Sequence, residues 1–471
     1  MQRPLVILHG YSDTSQSFQP LADALSGSSA GGGQPVVVSL GDYVTLNDHV
    51  GFPDLLTALD RAWTHHNLPR DEGAVNMVVH STGALVVRQW LHWLTREKSR
   101  SPLGGRGTGP EPCPVKNLCM LAPANFGSPL AHKGLSFIGR VLKGSKENAD
   151  GRLQSGKYIL KGLELASPFT WSLAMSDRFE TGDGQLYRKG RCLCTVLVGN
   201  KGYDGLAAMA NEDGGDGTVR VSTANMDCAR ATIDFSKDPQ RPTVAMEPST
   251  GRTAFGFLEK YNHSTITGNE TPPSLRAPLL ELISRAVTVT DAGFNAWCDE
   301  LQEVTDATSQ KQDGYQNLAV RCVDDQGEAA GTGDRPVKDY LVEFFENDKD
   351  SGGGALAKYF HTSVLESVHN YSDDPSLRAL YINTSKLFKR IDRADETLEI
   401  SVSAHPQLNE TNQRVGYESF TDEQIGSVSI KADNIRDFFA PHRTLLATIR
   451  LKWSSGRLFD YRHSTQPYRR V

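Results

Sequence analysis

The stretch from Val75 to Thr95 constrains this chain more than any other. An apolar run, Val75-Asn76-Met77-Val78-Val79, stops abruptly at His80-Ser81-Thr82-Gly83. A second run, Ala84 to Leu94, is long enough for about three helical turns. Strand, sharp turn bearing a serine, then helix is the pattern of a nucleophile elbow, which lifts a hydroxyl clear of a parallel sheet. Such a turn strains the serine backbone, so the residues two positions away must be small. Gly83 meets that demand on one side, whereas Val79 stands where glycine is usual on the other. The competing reading is a buried serine at an ordinary strand end. It needs no chemical partners elsewhere, so the rest of the chain has to decide.

A chain of 471 residues is too long for one core, and two domains are expected. Fifty basic against 56 acidic residues leave a formal charge of −6, which gives no electrostatic case for nucleic acid or an anionic membrane surface. No stretch approaches the ~18–20 consecutive apolar residues of a membrane span. The opening MQRPLVILHG leads directly into a motif and does not read as a secretory signal. Cytoplasmic synthesis is expected, with any export through a signal-independent secretion system. The seven cysteines (113, 119, 192, 194, 228, 298 and 322) are odd in number and form no C-x-x-C pair, so they read as reduced thiols. The sequons at Asn262, Asn269, Asn370, Asn383 and Asn409 are read as chance on the same ground.

Along the chain, Pro4 to Gly10 reads as a short buried strand and glycine turn, and Phe18 to Leu25 as a helix. Val36 to Val38 begins another strand, and Asp54 to His66 places Leu55, Leu56, Leu59, Ala62 and Trp63 on one helical stripe. After the elbow, 98–114 is a Gly/Pro-rich loop and Val115 to Ala122 the next strand, ending in Pro123-Ala124-Asn125-Phe126-Gly127-Ser128-Pro129. This alternation means a doubly wound α/β sheet. It breaks over 130–189, an apolar insertion containing Phe137, Ile138, Val141, Leu142, Tyr158, Ile159, Leu160, Leu163, Leu165, Phe169 and Trp171. Arg191 to Val198 resumes the sheet, Ala231 to Phe235 and Thr253 to Leu258 are weaker strand candidates, and Ser274 to Val287 is the closing helix. The expected division is a catalytic domain over 1–288, an amphipathic connector over 289–316, and an accessory domain over 317–471. In the last, short alternating segments separated by turns indicate an antiparallel β-sandwich.

A serine hydroxyl is a weak nucleophile and needs a base, an orienting acid and an oxyanion site. The acid is sought in Asn211-Glu212-Asp213-Gly214-Gly215-Asp216-Gly217-Thr218-Val219, where glycines let an aspartate project from a strand end. Asp216 is the first choice, with Asp213 or Asp204 as alternatives. A plain solvated turn competes with this reading, and the twelve-residue calcium spacing is absent. His263 is the one histidine between Asp216 and the end of the first domain, and it follows a strand candidate. A lone histidine is commonly structural, but order and placement make this one the base. Backbone N–H groups of Tyr11 and Thr82 are the candidate oxyanion donors, the second because it opens a helix. His9 reads as a packing residue and His80 as a neighbour of the elbow.

These stations (Leu8-His9-Gly10-Tyr11, His80-Ser81-Thr82-Gly83, Asn125 to Leu130, Asp216-Gly217-Thr218-Val219 and Asn262-His263-Ser264) resemble those of lipases and lipid acyl hydrolases in the α/β-hydrolase superfamily. The resemblance covers residues 1 to about 288. It implies an α/β-hydrolase fold, a ping-pong acyl-enzyme mechanism, and no cofactor or metal. The insertion resembles a lid. The partners it implies are a lipid or acyl-ester substrate and transient contact with a membrane surface, with no nucleic acid. Two alternatives keep the chemistry: an exported antibacterial phospholipase effector whose sandwich docks onto a carrier, and a non-lipid esterase. A third, a pseudoenzyme or binding module, is disfavoured by the presence of Ser81, Asp216 and His263.

Overall fold

The computed structural model describes residues 3–9, 15–26, 33–44, 49–97, 109–131, 156–205, 208, 211–269, 271–325, 334–346, 355–391, 397–404 and 426–452. Two bodies of sheet organise it. The first has six strands, β1 (Leu5–Leu8), β2 (Val36–Val38), β3 (Val75–His80), β4 (Val115–Leu121), β5 (Leu193–Gly199) and, after two strands that leave it, β8 (Ala254–Leu258). Their order is β2-β1-β3-β4-β5-β8 and every pairing is parallel. β3, β5 and β8 are buried along their whole lengths, as near-continuous apolar runs covered on both faces must be. Helices α1 (Ser15–Ser26), α2 (Phe52–His65) and α3 (Thr82–His92) supply much of that cover, α2 packing on α3. The closing helix Pro273–Thr288 packs on β3, β4 and α1.

The second body begins earlier in the chain than its composition suggests. Strands β6 (Cys228–Asp234) and β7 (Thr243–Pro248), the former expected in the first sheet, instead form one edge of a seven-stranded sheet. The other strands are β9 (Tyr315–Asp324), β10 (Arg335–Pro336), β12 (Leu365–Asn370), β13 (Leu377–Asn383) and β16 (Thr444–Leu451), in the order β12-β13-β9-β16-β6-β7 with β10 beside β9. The reason lies in the burial pattern. β6 buries Ala231 and Ile233 but leaves Thr232 and Asp234 half-covered, which suits a sheet with one well-covered face and not a doubly covered parallel core. A three-stranded sheet, β11 (Tyr340–Glu346), β14 (Thr397–Ala404) and β15 (Val428–Lys431), shares a core with it through Phe344, Leu398, Ile400 and Val428 against Leu318, Val320, Leu380 and Ile449. The result is a two-layered β structure, as expected, except that β16 runs parallel to both β9 and β6.

The expected connector is a helix, Phe294–Ser309, but it is not a free link. It lies on β8, buries Phe294, Trp297 and Leu301 in the first core, and donates the Trp297 indole N–H to Thr195 Oγ1 at 3.0 Å. The described half of the insertion forms helices Lys157–Leu163 and Pro168–Asp177. Leu165, Trp171 and Ala174 pack with Ala319, Ala379 and Leu446 on the outer face of the seven-stranded sheet. The rest of the insertion, with Phe137, Ile138, Val141 and Leu142, lies outside the described residues. Among the described residues no helix is long and apolar enough to cross a membrane.

His442 sits at the junction of the two bodies. It is buried, its Nε2 is 2.9 Å from Ser309 Oγ, its ring is 5.0 Å from that of Phe257, and its N–H donates to the Tyr315 carbonyl. Burial pushes its pKa from 6.5 down to about 4, opposed only in part by Asp306. The unfolded chain therefore takes up this proton before the folded one does. The stabilisation present above pH 6.5 is lost as pH falls towards 4, by up to about 3 kcal/mol. Urea midpoints between pH 7 and pH 4.5 should fall less steeply in His442→Asn, a residue that tolerates the position's φ of 60°. Equal slopes would show that His442 titrates alike in the folded and the unfolded chain.

Candidate functional site

The first sheet brings the sequence-derived residues to the carboxyl ends of its strands, where open α/β sheets bind ligands. Ser81 follows β3 at φ 52°, ψ −125°, outside the ordinary regions for a side-chain-bearing residue. Neighbouring structure holds it there: Ser81 N–H donates to the Leu121 carbonyl, and α3 begins at the next residue. Gly83 packs against the end of β1, where an added Cβ would stand 3.1 Å from the His9 carbonyl oxygen and 3.3 Å from that of Leu8. Val79, by contrast, is an ordinary buried strand residue opposite Leu8 and Met120, and the elbow forms around it.

Asp216 is fully buried on the excursion between β5 and β8. Its Oδ1 accepts the N–H groups of Thr218 at 2.9 Å and Val219 at 2.8 Å, which leaves Oδ2 facing His263. Gly217, at φ 94°, makes this tight turn possible, and an added Cβ would meet the Tyr203 ring at 2.6 Å. The two alternative acids lie elsewhere: Asp213 is exposed, and Asp204 pairs with Lys201 at 2.8 Å. His263 is presented by a turn in which Asn262 Oδ1 accepts the N–H groups of Ser264 and Thr265. Its Nδ1 is 2.9 Å from Asp216 Oδ2 and its Nε2 is 3.0 Å from Ser81 Oγ. A second tie joins the same two loops, from His263 N–H to the Asp216 carbonyl at 3.1 Å. Ser81, His263 and Asp216 thus form one buried hydrogen-bonded chain.

Of the two expected oxyanion donors, Thr82 opens α3 beside Ser81, and Tyr11 lies outside the described residues. The serine and Thr82 open onto a small cleft whose walls are mainly apolar, among them Ala124, Leu130, Leu160, Leu163 and Val219. Three stretches that are remote in sequence make these walls, and the Asn125 to Leu130 turn ties them together. Ser128 Oγ donates to the Thr218 carbonyl at 2.6 Å, and Ser128 N–H donates to the Leu163 carbonyl at 2.8 Å. Gly127, at φ 91°, lets the insertion come this close, because a Cβ there would stand 2.8 Å from the Leu163 oxygen. Sequence reasoning marked this turn as a station but not as the knot of the cleft. His80 was read only as a neighbour of the elbow, since it carried no signal beyond its place next to the serine. Among the described residues no group of His, Cys, Asp and Glu is arranged to hold a metal ion.

A parallel sheet ordered β2-β1-β3-β4-β5-β8, with a strained serine between β3 and α3, is an α/β-hydrolase fold. No family model and no curated protein sequence matches the chain. Among solved structures, it is similar over its whole length to phospholipase PlaB from Legionella pneumophila. Two structures of that protein, one in complex with thio-NAD, align with a TM-score of 0.74, covering 99% of this chain and 97% of theirs at 20% identity. At that identity the likeness speaks for the fold, and it extends across both bodies of sheet. The Staphylococcus hyicus lipase aligns more loosely, with a TM-score of 0.37, 12% identity, and cover of 65% of this chain and 97% of that one.

Proposed function

We propose that this chain is a serine hydrolase that cleaves carboxylic ester bonds of lipids, of lipase or phospholipase type, through an acyl-enzyme on Ser81. The observation that carries this reading is the 3.0 Å approach of Ser81 Oγ to His263 Nε2, with Asp216 behind the ring, at the edge of an apolar cleft. His263 takes the Ser81 proton as Oγ adds to the ester carbonyl, and returns it to the departing alcohol. Asp216 holds the Nδ1–H tautomer and offsets the imidazolium charge. Its own orientation is set by Thr218 and Val219. The Thr82 N–H, at a helix N-terminus, meets the developing oxyanion. Water, activated by the same histidine, then releases the acid. The apolar walls support an acyl chain as the bound group, and the likeness to a phospholipase supports a phospholipid as its source.

A fluorophosphonate probe should label the folded protein, with the adduct on Ser81 by mass spectrometry. A panel of phospholipids, long-chain esters and short-chain esters should release fatty acid from the lipids, and Ser81→Ala should abolish release. Turnover that survives Ser81→Ala, or labelling elsewhere, overturns the proposal. Cleavage confined to short-chain esters removes its lipid half.

A further inference from the structure

We propose that His80 is a positioning residue: its Nε2–H holds the main-chain carbonyl of His263 and so keeps the base within reach of Ser81. This rests on the reading of Ser81 and His263 as nucleophile and base.

His80 Nε2 lies 3.0 Å from the carbonyl oxygen of His263. A carbonyl oxygen only accepts, so Nε2 carries the hydrogen whatever the ring's charge. Burial lowers the affinity of His80 for a second proton well below the ordinary histidine range, and the nearby rings of His263 and His9 add to this, the hydrogen bond to the His263 carbonyl opposing them. A charged ring would also bury an Nδ1–H that has no hydrogen-bond acceptor among the described residues. His80 is thus a neutral Nε2–H tautomer. The groups packed around it are His263 at 4.7 Å between ring centroids, Phe18 from α1 at 5.6 Å, and His9 at the end of β1.

Because His80 and Ser81 are consecutive, the bond closes a ring of contacts. Strand β3 ends at His80 and Ser81 follows it directly, Ser81 Oγ meets His263 Nε2 at 3.0 Å, and the His263 carbonyl returns to His80. The opposite side of His263 is tied to Asp216 through both main chain and side chain. A base on a loop after β8 therefore takes its distance to the nucleophile from the strand that carries the nucleophile. Neutrality matters as well as geometry. His263 becomes an imidazolium during the reaction, and a positive neighbour at 4.7 Å would oppose that charge.

The test compares His80→Phe, which keeps an aromatic ring but cannot donate, with His80→Gln, whose amide N–H reaches about as far as Nε2. In His80→Phe, kcat and the rate of fluorophosphonate labelling should fall together by about 10- to 100-fold with KM little changed. His80→Gln should recover most of that loss, and its acid limb of kcat/KM should coincide with that of the wild type. Equal rates in all three proteins, or equal losses in both variants, overturn the proposal. So does an acid limb that moves in His80→Gln, because His80 would then be titrating. Should His80→Phe fail to fold, nitrogen chemical shifts of the wild-type imidazoles decide the matter, and an Nδ1–H tautomer for His80 refutes it. Absence of labelling at Ser81 in the wild type is a different result, which overturns the reading of the site and this proposal with it.

Discussion

Replacing His263 with alanine is expected to lower turnover by about four to six orders of magnitude and to abolish fluorophosphonate labelling of Ser81. The size follows from how the three residues are joined. In the proposed mechanism Ser81 Oγ passes its proton to His263 Nε2, 3.0 Å away, so without the ring the hydroxyl would be neither activated nor the leaving group protonated. Ser81→Ala and the double variant should lose about as much as His263→Ala alone, because the members act as one unit. Asp216→Asn should cost about three to four orders, since the amide favours the wrong imidazole tautomer while the turn through Thr218 and Val219 keeps its shape. Asp213→Asn should change little, because that side chain is exposed and the residue's carbonyl accepts from the Tyr381 hydroxyl, away from His263. Steady-state kinetics on these variants, with circular dichroism to confirm folding, checks the set. A silent Asp216→Asn beside a damaging Asp213→Asn would reassign the acid.

How much of this was legible in the sequence depended on how local each signal was. The step from an apolar strand through His80-Ser81-Thr82-Gly83 to an apolar helix spans few residues, and it emerges as β3, a strained turn and α3. The choice of His263 rested on chain order and a lack of rivals, whereas Asp216 was a first choice beside Asp213 and Asp204. Strand β6 was less legible, because its partner β16 comes from the far end of the chain, pairing Cys228 with Thr444. No periodicity in Cys228–Asp234 announces which sheet will receive it. The His80 bond was illegible for a related reason. Its acceptor is a main-chain carbonyl, which every residue has, so no residue type marks the partner. The cleft was half-legible: Ser128 and Leu130 belong to a motif, whereas Leu160 and Leu163 reach the serine only because Gly127 admits the insertion so closely.

Removing the carboxylate of Asp177 is expected to destabilise the fold by about 3–5 kcal/mol. Its partner Arg88 lies on α3 and is fully buried, and the two form a bidentate pair with both N···O distances at 2.8 Å. Burial acts against the charge on Arg88, and the Asp177 carboxylate more than offsets it. Arg88 Nη1 also donates to the carbonyl and the side-chain oxygen of Asn125 at 3.2 Å, and the Tyr187 hydroxyl approaches Asp177 Oδ2 at 3.3 Å. In Asp177→Ala the guanidinium keeps its charge with no counter-ion and no route to water, which is the expensive case. The pair itself need not stabilise the fold, because desolvating two ions costs about what their attraction returns. Arg88→Met with Asp177→Leu should therefore recover most of the lost stability in urea denaturation. Recovery of activity should be less complete. The same arginine fixes Asn125, at the start of the turn that joins the cleft walls, and α3, whose first N–H is the proposed oxyanion donor. A loss below about 1 kcal/mol in Asp177→Ala would mean that water reaches Arg88. A double variant as unstable as the single one would mean that the site depends on the ion pair itself.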